Sequence, residues 1–182
     1  MNVILDLVGS AIIGGILLLM IFNAKIYQTN SRFASDSELQ MQQNARTLAD
    51  IVSYDLRKIG YECKTNPFLQ ADSEHVSFYA DMNRDGTQDV VTYFLSDTSK
   101  AQATPNPNDR VLMRIVNSDT IAGPSLGLTK LKFSYFNQVG VPVTDFNQIA
   151  FIKAELWVES AEPVNNEYLF TYWELKISPR NL

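Results

Sequence analysis

Residues 3–22, VILDLVGSAIIGGILLLMIF, limit what the rest of the chain can be. Twenty almost uninterrupted apolar residues at a rise of about 1.5 Å each span a bilayer's hydrocarbon core as a helix. Asp6 is the one charge inside the stretch. A carboxylate at that depth is costly, and two readings of it stand. Near the N-terminal edge it can reach headgroups and water. Alternatively, a cation from a neighbouring chain neutralises it, and such a pair fixes register more than it adds stability. Ser10 with Gly14, and Ala11 with Gly15, are small-xxx-small pairs that allow close helix approach. Gly14-Gly15 is also a point where the helix could loosen. A cleaved secretory signal is the competing explanation. It calls for a positive n-region and an A-x-A-like site, yet no Lys or Arg precedes Lys25 and no such site follows Phe22.

The helical period continues past the apolar run to about Gly60. Met41, Ala45, Leu48, Val52, Leu56 and Ile59 recur at spacings of 4, 3, 4, 4 and 3, which is one face of an α-helix. Gln42, Asn44, Arg46, Asp50, Asp55 and Lys58 occupy the other face. Arg57 and Lys58 suit a helix C-terminus and Gly60 the residue beyond it. The pattern then changes to period two. Segments 75–80, 89–96, 110–117, 129–136, 149–159 and 167–178 read as strands: 89–96 is strongly β-prone (VVTYFL) and the others alternate, with Val76, Phe78 and Ala80 sharing one face of the first. In the third, Val111, Met113 and Ile115 oppose Arg114 and Val116. Such segments predict an antiparallel sheet with one covered face, and the amphipathic helix is the element at hand to cover it. The polar stretch 96–109 and AGPSLG, 122–127, read as loops. The fold class is therefore α+β. Residues 1–25 form a transmembrane helix, 26–60 its amphipathic continuation, and 61–182 an antiparallel β-sheet head.

Composition narrows the function. At 182 residues there is room for one domain plus an anchor. A net charge of −5 supplies no basic field for nucleic acid. Cys63 is the single cysteine, so no intramolecular disulfide can form. His75 is the single histidine and no nucleophile motif accompanies it, so the chain does not read as an enzyme. The aromatics at strand spacing, Trp157, Tyr172 and Trp173 among them, read as core and cross-strand pairs.

One motif carries ligand chemistry. Residues 81–89, DMNRDGTQD, place oxygen side chains Asp81, Asn83 and Asp85 at positions 1, 3 and 5, with Gly86 at 6, Thr87 at 7 and Asp89 at 9. That is the spacing of a calcium loop, in which hard cations take oxygen ligands and the glycine permits the turn. The twelfth position is Thr92 rather than a bidentate Glu, and the flanks FYA and VVTYFL are strand-like. The alternative is a plain hairpin turn on Asp85-Gly86 with solvated acids.

Taken together, the apolar helix with one acid, its amphipathic continuation ending YDLRKIGYE (54–62), the hairpin FYADMNRDGTQDVVTYFL (78–95), NPNDRVLMRIV (106–116) and the terminal WELKISPRNL (173–182) resemble the type IV pilin-like proteins, of the minor pilin or minor pseudopilin type. The resemblance covers most of the chain. No prepilin leader ending in Gly is recognisable; Met1 stands in that glycine's place. The resemblance implies a long helix carrying a sheet head. It also implies a structural subunit that polymerises through its N-terminal helix, with copies of itself or with other pilin-like subunits, into a pilus-like or pseudopilus filament. The implied location is the bacterial inner membrane with a periplasmic head, then a periplasmic or cell-surface filament linked to secretion. With Asn2 as first mature residue, Asp6 falls at the fifth position, where the family's acid meets a neighbour's N-terminal amine. Lys25 and Arg32, by charge bias alone, favour a cytoplasmic head. The alternative function is a single-pass anchored protein that presents its head without polymerising.

Overall fold

A computed structural model describes residues 3–102, 104–164 and 166–182. Among the described residues one α-helix, α1, runs Val3–Leu56, followed by eight strands: β1 Phe68–Ala71, β2 His75–Ala80, β3 Asp89–Leu95, β4 Leu112–Val116, β5 Asp119–Ala122, β6 Leu128–Phe136, β7 Phe151–Glu159 and β8 Phe170–Ile177, with short 3-10 turns at Thr98–Lys100 and Phe146–Gln148. The chain divides into two compact units, Met1–Ser37 and Glu38–Leu182. The division falls within the amphipathic stretch, so the last turns of α1 belong to the same unit as the strands.

The period-two segments form strands as expected, but in two sheets rather than one. The first is five-stranded, β1-β2-β3-β4-β5, and the second three-stranded, β6-β7-β8. Every pairing is antiparallel. The chain leaves the first sheet after the exposed edge strand β5, and the loop 123–127 carries it to β6. Main-chain bonds join the sheets where the residues next to strands meet: Arg110 N–H donates to Leu128 O at 2.8 Å and Phe133 N–H to Ser73 O at 2.7 Å.

The helical face expected from spacing is the buried one. Met41, Ala45, Leu48, Val52, Leu56 and Ile59 are all buried, and they join one core with Val76, Phe78, Val91 and Tyr93 of the first sheet and Phe133, Ile152, Ala154, Leu156 and Val158 of the second. Burial of the Leu, Ile, Val, Met and Phe side chains among them stabilises by about 1.5–3 kcal/mol each. It also explains why a helix far longer than the globular average holds its C-terminal end without strong propensity.

Two assignments of face change, and they change together. Asp55 sits among the polar residues by spacing, yet its side chain is 4% exposed. In β4 the register aligns Leu112, Arg114 and Val116 with Leu95, Tyr93 and Val91. The face containing buried Leu112 and Tyr93 is therefore the one that includes Arg114, and Met113 and Ile115 lie on the opposite face. The cause is a single network. Asp55 Oδ2 accepts from Arg114 Nε at 2.5 Å and from Tyr93 OH at 2.7 Å. Each charged group is tolerated on a core face because the other neutralises it. The pair holds the Arg114 guanidinium more firmly charged although burial opposes it. Burial, the largest influence, and the Asp55 charge raise the Tyr93 phenol well above its usual range.

Past α1 the chain turns at Gly60, whose φ is +79°. A Cβ there would lie 2.6 Å from the main-chain oxygen of Asn181, because the C-terminal segment lies against this turn. Gly60→Ala combines a left-handed backbone with a main-chain clash. We expect a loss of about 2 kcal/mol, read as a lower denaturant midpoint with unchanged slope.

Candidate functional site

The five residues picked out for assembly, Asp6, Ser10, Ala11, Gly14 and Gly15, lie on α1 within the first unit. The helix passes through Gly14-Gly15 without a break. Ser10 Oγ donates to Leu7 O at 2.9 Å, so its hydroxyl is satisfied inside its own helix. A Cβ added at Gly9, Gly14 or Gly15 would meet nothing within 4 Å, so these positions are open notches on the helix surface. Around them Val8, Ile12, Ile13, Ile16, Leu17 and Leu18 are all at least 49% exposed. Apolar residues thus cover every side of the helix rather than one stripe. An 18-residue window of this helix has mean hydropathy 2.2 and none of it is buried. By length and composition it can anchor the chain in a membrane. Asn2, named above as a first mature residue, lies outside the described residues.

The second candidate, residues 81–89, is the tip of the β2–β3 hairpin. Asp81 is its hub. It is 3% exposed, and its carboxylate accepts from the amides of Arg84 at 2.6 Å, Asp85 at 3.3 Å and Gly86 at 2.9 Å. Positive φ at Arg84 and Gly86, +64° and +81°, curls the chain around it. Asn83 Oδ1 accepts from Asp85 N–H at 3.1 Å, and Asn83 Nδ2 donates to Asp85 Oδ2 at 2.8 Å. Thr87 donates to Asp85 Oδ1 through its amide at 2.7 Å and through its hydroxyl. The Thr87 hydroxyl and amide, with the Asn83 amide, hold the Asp85 carboxyl below the usual range.

Asp89 is turned differently. Its Oδ2 accepts from Met82 N–H at 3.0 Å, closing the tip. Its Oδ1 accepts from Asn117 Nδ2 at 2.7 Å. Asn117, with φ +56°, forms the β4–β5 turn and returns two further bonds to Val90. The two neighbouring tips are thus tied to each other through Asp89. Among the described residues no group of three or more His, Cys, Asp or Glu side chains converges as a metal cluster. An ion at this tip would draw on Asp81 and Asp85 with the neutral oxygens of Asn83 and the Thr87 carbonyl. Asn117 escapes a search by spacing, since its partner lies 28 residues away. Its only local signal is an Asn placed where a turn follows a strand.

The single histidine, the single cysteine and the strand aromatics lie elsewhere in the head. His75 stacks on Phe94 with ring centroids 5.4 Å apart. Cys63 is half-buried, its Sγ 3.7 Å from Tyr61 O, and burial raises its thiol above the usual range. Trp157 and Tyr172 form a cross-strand pair 5.1 Å apart on the second sheet, with the Lys130 ammonium 4.7 Å from the Trp157 ring centre. Comparison with known protein families, with curated proteins and with solved structures finds no match to this chain.

Proposed function

We propose that this chain is a structural subunit of a pilin-like filament, held in a membrane by the start of α1 and assembled through that same helix. The observation that carries the reading is the continuity of α1. Its first unit exposes apolar side chains on all sides, and its last turns complete the core of a sheet head. A helix greasy all round must be covered by lipid or by other helices. Lipid covers it before assembly, and neighbouring α1 helices cover it in the filament. In this reading the notches at Ser10, Ala11, Gly14 and Gly15 let backbones approach. Asp6 is neutralised by a cationic group of a neighbour. The membrane is the bacterial inner membrane, the head is periplasmic, and the product is a periplasmic or surface filament.

The all-round apolar surface also suits a lone anchor facing lipid, and contact between copies separates the two readings. In a Cys63→Ser background, Leu7→Cys and Ile12→Cys are expected to form disulfide dimers in isolated membranes or filaments on mild oxidation. A filament subunit gives the dimer from each single-cysteine chain and a ladder from a chain carrying both substitutions; a monomeric anchor gives none.

The hairpin tip is proposed to hold calcium through Asp81, Asn83, Asp85 and the Thr87 carbonyl, with the weak affinity of extracellular modules, a Kd of about 10⁻⁴–10⁻³ M. Calcium in that range is expected to raise the melting temperature of the head, and Asp85→Ala to remove the increment that this tip contributes. Identical calcium responses in parent and variant would reduce the motif to a turn.

A further inference from the structure

The seam between the two sheets gathers carboxylates and side-chain amides, and among the described residues no Lys or Arg forms an ion pair with these carboxylates. Asp109 N–H donates to Asn106 O at 3.2 Å, closing a turn in the loop before β4. The buried Asn106 side chain donates to Glu159 Oε2 and to Ser160 O, each at 3.0 Å, and Asn108 Nδ2 donates to the same Glu159 oxygen at 3.0 Å. Two amides thus clamp one oxygen of Glu159 and leave Oε1 for another partner. Asp109 is 2% exposed, yet its Oδ1 has no hydrogen-bond partner. The opposite side of the seam is the loop before β6. There Glu159 N–H donates to Gly127 O at 2.8 Å, and a Cβ on Gly127 would lie 2.4 Å from Glu159 O. Two residues earlier, Ser125 Oγ is also buried without a partner. Among the described residues these are the buried side-chain oxygens left unpaired, and both belong to the loops that meet at this seam. No ion pair among the described residues includes Asp109 or Glu159. Burial first, and the nearby Glu159 charge, push the Asp109 carboxyl above its usual range against the pull of Thr104, as expected for a carboxylate without a positive partner.

We propose that this seam binds a divalent cation, calcium by its donor chemistry, between Asp109 and Glu159. Asp109 Oδ1 and Glu159 Oε1 supply the charge, and the partnerless Ser125 hydroxyl is the neutral oxygen this set adds. All the donors are oxygens, which excludes the nitrogen and sulfur sets of zinc and copper. They are carried by irregular loops, which suits the flexible coordination of calcium better than the strict octahedron of magnesium. The ion would join the five-stranded sheet to the three-stranded one where main-chain bonding between them is sparse. This site is separate from the hairpin tip and independent of whether the chain polymerises.

The test uses the full chain in detergent carrying Asp85→Ala, so that the tip is not counted. It is freed of metal with EDTA and titrated with calcium chloride by calorimetry and thermal unfolding. One calcium per chain is expected, with a melting-temperature rise of about 3–6 °C once free calcium is roughly tenfold above Kd. Asp109→Asn keeps the shape and removes the charge. It should weaken binding about tenfold or more and lose the rise, while melting no lower than its parent in EDTA, where the unpaired charge has no cation. Glu159→Gln should weaken binding in the same way, so the inference does not rest on one variant. The inference is overturned by a parent that takes up no calcium, or by binding that survives both substitutions. It is also overturned by an Asp109→Asn chain that melts well below its parent in EDTA, which would mark the carboxylate as an ordinary structural acceptor.

Discussion

Asp55→Ala is expected to cost about 3–5 kcal/mol, the range for breaking one partner out of a buried ion pair, and to lower the melting temperature by about 10 °C or more. Asp55 Oδ2 is shared by Arg114 Nε and Tyr93 OH. Removing it leaves a guanidinium that is only 23% exposed and a fully buried phenol, both without a partner. The loss comes from what stays behind rather than from the bond itself. The triple variant Asp55→Leu, Arg114→Met, Tyr93→Phe removes all three polar groups together and should recover most of the stability. Arg114→Met alone should cost nearly as much as Asp55→Ala, since a carboxylate is then stranded. Chemical denaturation of the four chains compares these losses directly. Single substitutions that each cost under about 1 kcal/mol would place the pair among solvent-screened surface bridges.

Deleting residues 1–25 should have the largest effect on assembly. The remaining chain keeps the whole of the compact unit Glu38–Leu182 and every buried helix residue from Met41 onward. We expect a soluble monomer whose melting temperature lies within about 2 °C of the parent, since surface changes away from a core stay within about 0.5 kcal/mol. Incorporation into filaments should fall below detection. Gly14→Leu is the finer version. A Cβ at this position meets nothing within 4 Å, and it lies in the unit apart from the head, but leucine fills a notch that close helix approach requires. Shortened heads that still enter filaments, or a Gly14→Leu chain that assembles like the parent, would remove α1 as the assembly element.

Much of the architecture was legible in the sequence because it depends on periodicity. The buried face of α1 is the spacing series from Met41 to Leu56, with Ile59 buried in the turn beyond the helix, and β2 spans the same residues, His75–Ala80, as the alternating segment. The alternation of β7 matches its burial, residue for residue. What was not legible has two physical causes. Spacing treats a charge as a surface mark, so it places Asp55 and Arg114 outward, and in β4 this reverses the face. Only a partner 59 residues away makes their burial tolerable. Short edge strands carry little pattern: β1 has one buried residue and β5 none. The division into two sheets is likewise set by the loop 123–127 rather than by any strand's own sequence. At the hairpin tip the oxygen side chains were visible at their spacing. The turning of Asp89 toward Asn117 was not, because a hydrogen bond between neighbouring tips leaves no local periodicity. The Asp109–Glu159 seam was invisible for the same reason.

The grip of Asp89 on Asn117 bears on where this protein can accept foreign sequence. A peptide epitope spliced into residues 82–88 would pull on a second turn and loosen two hairpins at once. The reverse turn after β6 has no such tether. Val139 is 83% exposed, and Gly140 faces open space. Its bonds run mainly from Asn137 to its immediate neighbours. A tag grafted at residues 138–140 should leave both sheets in register and stand clear of the head for capture by an antibody.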